Sequence, residues 1–106
     1  MKFRLASLVS LFATAAFAAS PAPVRALLVT GGCCHEYDVQ AKALTEGSKK
    51  FGAITWTVRN EGGKSKNHQS PLYDNPDWAK PYDVVVHNEC FADLNDIAYV
   101  LSLIHI

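Results

Sequence analysis

The sequence predicts an α/β fold built on a parallel sheet in which the first strand lies between the second and the third, order 2-1-3. Three observations predict it. Ala26-Leu27-Leu28-Val29 is a short apolar run closed by Gly31-Gly32, and from Tyr37 the apolar period changes to that of a helix. Ile54-Thr55-Trp56-Thr57-Val58-Arg59 alternates apolar and polar residues, the pattern of a half-buried strand at a sheet edge. Tyr82-Asp83-Val84-Val85-Val86-His87-Asn88 carries a continuous valine core, the pattern of a parallel strand buried on both faces. Right-handed crossovers then place the carboxyl ends of the first and third strands side by side.

The chain begins with Lys2 and Arg4, followed by a mostly apolar stretch to Ala16 and small residues at Ala16-Phe17-Ala18. This reads as a secretory signal peptide over residues 1–18, because the apolar run is shorter than the ~20 residues a membrane span needs. Residues 19–23, with Pro21 and Pro23, read as a spacer, and the expectation is an exported protein with no membrane attachment after cleavage. Residues 24–100 form the domain. Within it, Tyr37, Ala41, Leu44, Ser48 and Phe51 share the inward face of the first helix. Residues 64–81 are polar and rich in Asn, Ser, Pro and Lys, with a short helix expected at Asn75-Pro76-Asp77-Trp78. Asp93, with Asp96 three residues on, is expected to cap a further helix. Residues 101–106, Leu-Ser-Leu-Ile-His-Ile, read as the translation of a transposase adapter used in sequencing libraries, so the expectation is a gene fragment, the alternative being an ordinary apolar carboxyl-terminal segment.

Ten basic and ten acidic residues cancel, so no global positive field points to nucleic acid or an anionic membrane. Lys64 and Lys66 make a weak local basic patch of a solvated loop. The three cysteines, Cys33, Cys34 and Cys90, are an odd number, which in an oxidising compartment allows one disulfide and one free thiol.

Chemistry is expected beyond the carboxyl ends of the strands. Gly31-Gly32 matches neither the dinucleotide fingerprint nor a P-loop. It is either a turn that needs glycine dihedrals or a set of amides at a helix N-terminus suited to a carboxylate, phosphate or polarised oxygen. His35 stands at the mouth of that turn, where the helix end disfavours imidazolium and leaves a neutral base or metal ligand. Its bland alternative is a hydrogen-bonded structural histidine. Glu89 follows the third strand as a general acid/base, hydroxyl acceptor or ligand, or else as a cap. Asn88 orients substrate or satisfies strand-end backbone groups. His87, on the side of Asp83 and Val85, reads as a buried core histidine. Cys90 lacks the flanking glycines of a nucleophile elbow, and a disulfide with Cys33 or Cys34 competes for it. Trp78, with Tyr73 and His68 in the long loop, either stacks on a sugar or is pinned into the core.

Together, Leu27-Leu28-Val29-Thr30-Gly31-Gly32, His35 beyond it, the helix around residues 40–48, Trp56-Thr57-Val58, Pro76-Asp77-Trp78 and Tyr82-Asp83-Val84-Val85-Val86-His87-Asn88-Glu89-Cys90 resemble the trehalose-utilisation (ThuA-like) family over residues 24–100. The combined pattern carries the resemblance, not any one motif. It implies the amino-terminal part of a flavodoxin-like sheet similar to class I glutamine amidotransferases, without their cysteine–histidine–glutamate machinery, and a role in carbohydrate metabolism on a trehalose or keto-glycoside type of substrate. By family position, Gly31, Gly32, His35, Asn88 and Glu89 line the site. The resulting expectation is acid–base catalysis by His35 and Glu89 on a small carbohydrate held by Gly31, Gly32, Asn88 and Trp78, with cofactor and metal left open. Two rivals stand beside it: a non-catalytic carbohydrate-binding module using the same crevice, and an amidotransferase-like hydrolase with Cys90 as nucleophile.

Overall fold

A computed structural model describes residues 19–104; the expected leader, residues 1–18, and the last two residues of the adapter-like tail lie outside the described residues. The elements run β1 (Val24–Gly32), α1 (Tyr37–Ser48), β2 (Ile54–Asn60), a 3-10 turn (Pro71–Asp74), β3 (Val84–Cys90) and α2 (Ile97–Ile104). The three strands form one parallel sheet in the order β2-β1-β3, the α/β class and strand order that the sequence pattern predicts. The register pairs Val24 with Ile54 and Thr30 with Asn60 on one side, and Ala26 with Val84 and Gly32 with Cys90 on the other. Among the described residues no helix is long and apolar enough to cross a membrane.

β1 is the core. Its residues 26–32 are all buried, and alternation divides them between two layers. Leu27 and Val29 pack with Tyr73 and Trp78, and Leu72, Ala79, Tyr82, Val85, Tyr99 and Leu103 close over that cluster. Ala26, Leu28 and Thr30 turn to the other face, which α1 covers with its buried Tyr37 and Ala41. Burying a leucine or valine side chain contributes about 1.5–3 kcal/mol, so this strand supplies most of what holds the layers together.

Four expectations are corrected at the level of the elements. α1 stops at Ser48, where the Ser48 hydroxyl accepts a 2.9 Å hydrogen bond from Trp56 Nε1 of β2. The buried face is narrower than expected, Tyr37 and Ala41 alone: Leu44 is 38% exposed, and Phe51 lies in the following turn, 88% exposed. The short helix of the long loop forms one turn earlier than expected. Ser70 caps it by accepting from the Leu72 amide at 3.2 Å with Pro71 in the first position, whereas Asn75 spends its side chain on a local turn to the Asp77 amide at 2.9 Å. α2 is capped by Asp96, which accepts from the Tyr99 amide at 3.1 Å, and not by Asp93. β3 is half-exposed rather than buried on both faces, because it is an edge strand among the described residues; Val84 is exposed. The edge reading of β2 holds, with Ile54 and Trp56 the half-buried positions.

Gly31 and Gly32 end β1 at φ +132° and +107°, where L side chains are strained. A Cβ at Gly31 would meet the Glu61 carbonyl oxygen at 2.0 Å, and one at Gly32 the Cys90 carbonyl oxygen at 2.0 Å. Gly31→Ala and Gly32→Ala should each destabilise by more than ~2 kcal/mol, since strain of roughly 1–3 kcal/mol adds to a clash with rigid backbone. Gly47 in α1 has nothing within 4 Å of its added Cβ, so Gly47→Ala should stabilise by about 0.5–1 kcal/mol. Urea unfolding of the three variants checks both signs.

At the other end of the sheet, Arg25 forms a double contact with Asp83: Nη2 reaches Oδ1 at 2.8 Å, and the Arg25 amide donates to Oδ2 at 2.8 Å. Hydrogen bonds from the Arg25 side chain and then its amide hold the Asp83 carboxyl down to about 2. A depressed carboxylate contributes stability above its unfolded value and loses it as pH falls through the folded one. The contribution should therefore fade between pH ~4 and 2. Carboxyl NMR should place the Asp83 midpoint near that lower value, and Arg25→Met should return it to the ordinary aspartate range.

Candidate functional site

An open cleft lies at the carboxyl ends of β1 and β2, where open α/β sheets place their ligands. Its volume is about 160 Å³, and Gly31, Gly32, His35, Asp38, Asn60 and Lys64 are among its walls. The Gly31-Gly32 bend brings β1 to the rim, and the first turn of α1 supplies Tyr37 and Asp38. His35 is exposed, with its ring edge-on to Tyr37 at 5.8 Å. Asp38 accepts from the Asn60 side-chain amide, and Lys64 Nζ lies 3.5 Å from Glu36. The walls thus alternate donors and acceptors.

The sequence places the crevice between β1 and β3; the structure opens it between β1 and β2. The cause lies in the backbone. The Cys33 amide donates to the Cys90 carbonyl at 3.1 Å, which carries the β1–β3 pairing past the end of β1, and Phe91 packs against Gly32 and Gly62. That side is closed.

The expected site residues therefore part company. Gly31, Gly32 and His35 line the cleft. Asn88 points to the α1 side and donates to Gln40 at 3.0 Å. Glu89 belongs to the opposite face. Trp78 is 5% exposed, edge-on to Tyr73 at 5.0 Å, and works mainly as packing; it does not line this cleft but a separate hollow of about 250 Å³ with Tyr73, Asp74, Pro76 and Ser102.

Around Glu89 the structure assembles a group that the sequence reading divides between core and site. Its carboxylate accepts from the Tyr73 hydroxyl at 3.2 Å and pairs with His87 Nδ1 at 3.1 Å. A carboxylate only accepts, so His87 donates to it from Nδ1. Burial, then the charge of Glu89, pushes the Tyr73 hydroxyl far above the usual tyrosine range, so Tyr73 remains a donor. His87 is not the buried core histidine expected from its strand: its side chain is 36% exposed, against 12% for Glu89. An imidazole oriented by a carboxylate is the usual arrangement of a general base. The signal for it was present, since His87 and Glu89 are two apart on a strand and so share a face.

A third carboxylate, Glu61, follows β2. Burial raises its pKa, but hydrogen bonds from Ser70 and His68 and the charge of Arg59 outweigh that and hold it below the ordinary glutamate value. Tyr37 stands between the cleft and β3. Burial first, then the nearby Cys90 sulfur, raises its pKa. Cys90 sits in regular strand, and no non-glycine residue among those described has a positive φ, so the strained elbow of a nucleophilic cysteine is not formed.

Compared with protein-family models, curated proteins and solved structures, the chain finds no match.

Tyr73→Phe keeps the ring packing and removes one donor from a largely buried carboxylate. It should cost about 1.5–3 kcal/mol, the range for hydrogen bonds to charged groups. Urea unfolding measures the loss, and His87→Ala in the same background should then cost more than it does alone.

Proposed function

We propose that the chain is an exported domain of the trehalose-utilisation (ThuA-like) kind that takes a small carbohydrate in the cleft at His35 and acts on it by acid–base chemistry. The observation that carries the reading is the cleft: an imidazole, a carboxylate, a carboxamide and an ammonium group around one opening beside the Gly31-Gly32 bend, where the Gly32 amide itself is spent on the Gly63 carbonyl at 3.1 Å. Alternating donors and acceptors suit a polyhydroxylated ligand better than an apolar or uniformly charged one. Its volume of about 160 Å³ is below the roughly 300–1,000 Å³ of drug-sized sites, which favours one sugar ring inside with any second ring outside. In this reading His35 is the base or acid at the sugar, and Glu89 works with His87, whose orientation it fixes.

A binding module without turnover is the second reading, favoured by one observation: Glu89 does not line the cleft that holds His35. Calorimetry and turnover assays with trehalose and a keto-glycoside separate the two. Catalysis predicts that His35→Ala and Glu89→Gln each reduce turnover by at least ~10-fold, the lower end of what one acid–base group contributes. A binding module predicts lost affinity in His35→Ala alone and no turnover in any form. Full activity in both folded variants would place the site elsewhere.

A further inference from the structure

Three sulfurs converge where β1 turns toward α1. The Cys33 and Cys34 side chains follow Gly32, and Cys90 is the register partner of Gly32 on β3. Their Sγ atoms all lie within 4.8 Å of one another. Cys33 and Cys34 are joined as a disulfide between neighbouring residues, and Cys90 is free. Backbone holds the cluster in place: the Cys33 amide bonds to the Cys90 carbonyl at 3.1 Å, and Cys33 Sγ lies 3.5 Å from the same oxygen.

A second observation points into the cluster. The Tyr37 hydroxyl is buried and has no hydrogen-bond partner, although a buried orphan donor costs about 1–3 kcal/mol. Tyr37 is 6% exposed and stands close to Cys90 at the start of α1.

We propose that, once the Cys33–Cys34 bond is reduced, Cys33, Cys34 and Cys90 form a three-thiolate site for one thiophilic divalent cation of the zinc class. A metal–sulfur distance of about 2.3 Å with tetrahedral angles sets the sulfurs roughly 3.8 Å apart; all three already lie within 4.8 Å of one another, and reduction lets Cys33 and Cys34 part to that spacing. Cys34 is exposed while Cys33 and Cys90 are half-buried, so the cation approaches from solvent onto two prepositioned ligands. Opening the site takes two electrons and two protons from a dithiol, which breaks the Cys33–Cys34 bond and itself becomes a disulfide. Binding then releases one proton from each of the three thiols. Three protein ligands leave a fourth position for water or another ligand. The site is separate from the sugar reading of the His35 cleft and stands or falls without it.

The test uses the full chain, reduced with a dithiol and freed of it without oxygen, then titrated with Cd(II) as the probe. The expected result is one cation per chain with a thiolate-to-cadmium charge-transfer band, and a rise in the urea midpoint, since a ligand that prefers the folded state stabilises it. Cys90→Ser and Cys34→Ser, the latter at an exposed position that leaves the fold undisturbed, should each weaken binding by at least ~10-fold, the smaller cost of losing even a supporting group at a metal site. Neither variant should gain the urea shift. The oxidised chain should bind no better than these variants. Equal affinity in Cys90→Ser, equal affinity in the oxidised chain, or binding without any gain in the urea midpoint would each overturn the proposal.

Discussion

Two backbone carbonyls, those of Glu61 and Cys90, press against Gly31 and Gly32 at the distance a side-chain carbon would occupy. The arrangement of the carboxyl edge depends on that double approach. It lets β1 continue to Gly32, in register with Cys90 of β3 and two residues past its last pair with β2, and it brings the segment after β2 and the end of β3 against the same two residues. A parallel sheet whose central strand ended in ordinary residues would have to splay at this point, because hard-sphere contacts leave L residues few conformations at positive φ. The glycines are thus needed for packing, and the Gly32 amide is itself engaged by the Gly63 carbonyl.

The same constraint divides the chemistry. By closing the gap between β1 and β3, it seats the three cysteines in a tight group and leaves the opening on the β2 side, where His35 and Asp38 are. The two acid–base candidates consequently belong to different faces of the sheet, His35 with the start of α1 and Glu89 with Tyr73 and His87. Any chemistry joining them would have to pass around the end of β1 rather than across an open groove.

Strand order and the identity of all three strands were legible in the sequence, because a change of apolar period and a run of valines are physical signatures that survive without tertiary information. The helix ends were not. Phe51 fits the inward periodicity of α1, yet a Trp56–Ser48 hydrogen bond from another element decides where the helix stops. Asp93 and Asp96 are equivalent as caps by composition, and only the contacts of the following turn select Asp96. For the site, alternation foretold that His87 and Glu89 share a face, but their pairing depends on Tyr73 arriving from a loop whose path no local rule specifies. The side of β1 that stays open was equally hidden, since it follows from a single backbone hydrogen bond past the end of the strand.

The clasp between Arg25 and Asp83 has a consequence at the far end of the sheet. It engages both the guanidinium and the backbone amide of Arg25, so it fits one alignment of β1 with β3 and no other. A slip by one residue would turn every β3 side chain to the wrong layer. A slip by two would restore the layers but separate the clasp and move Cys90 away from Gly32. Arg25 and Asp83 therefore act as an alignment key: an exposed ion pair at the amino edge indexes the strands, and the sulfurs and the Glu89 carboxylate at the carboxyl edge inherit their positions from it.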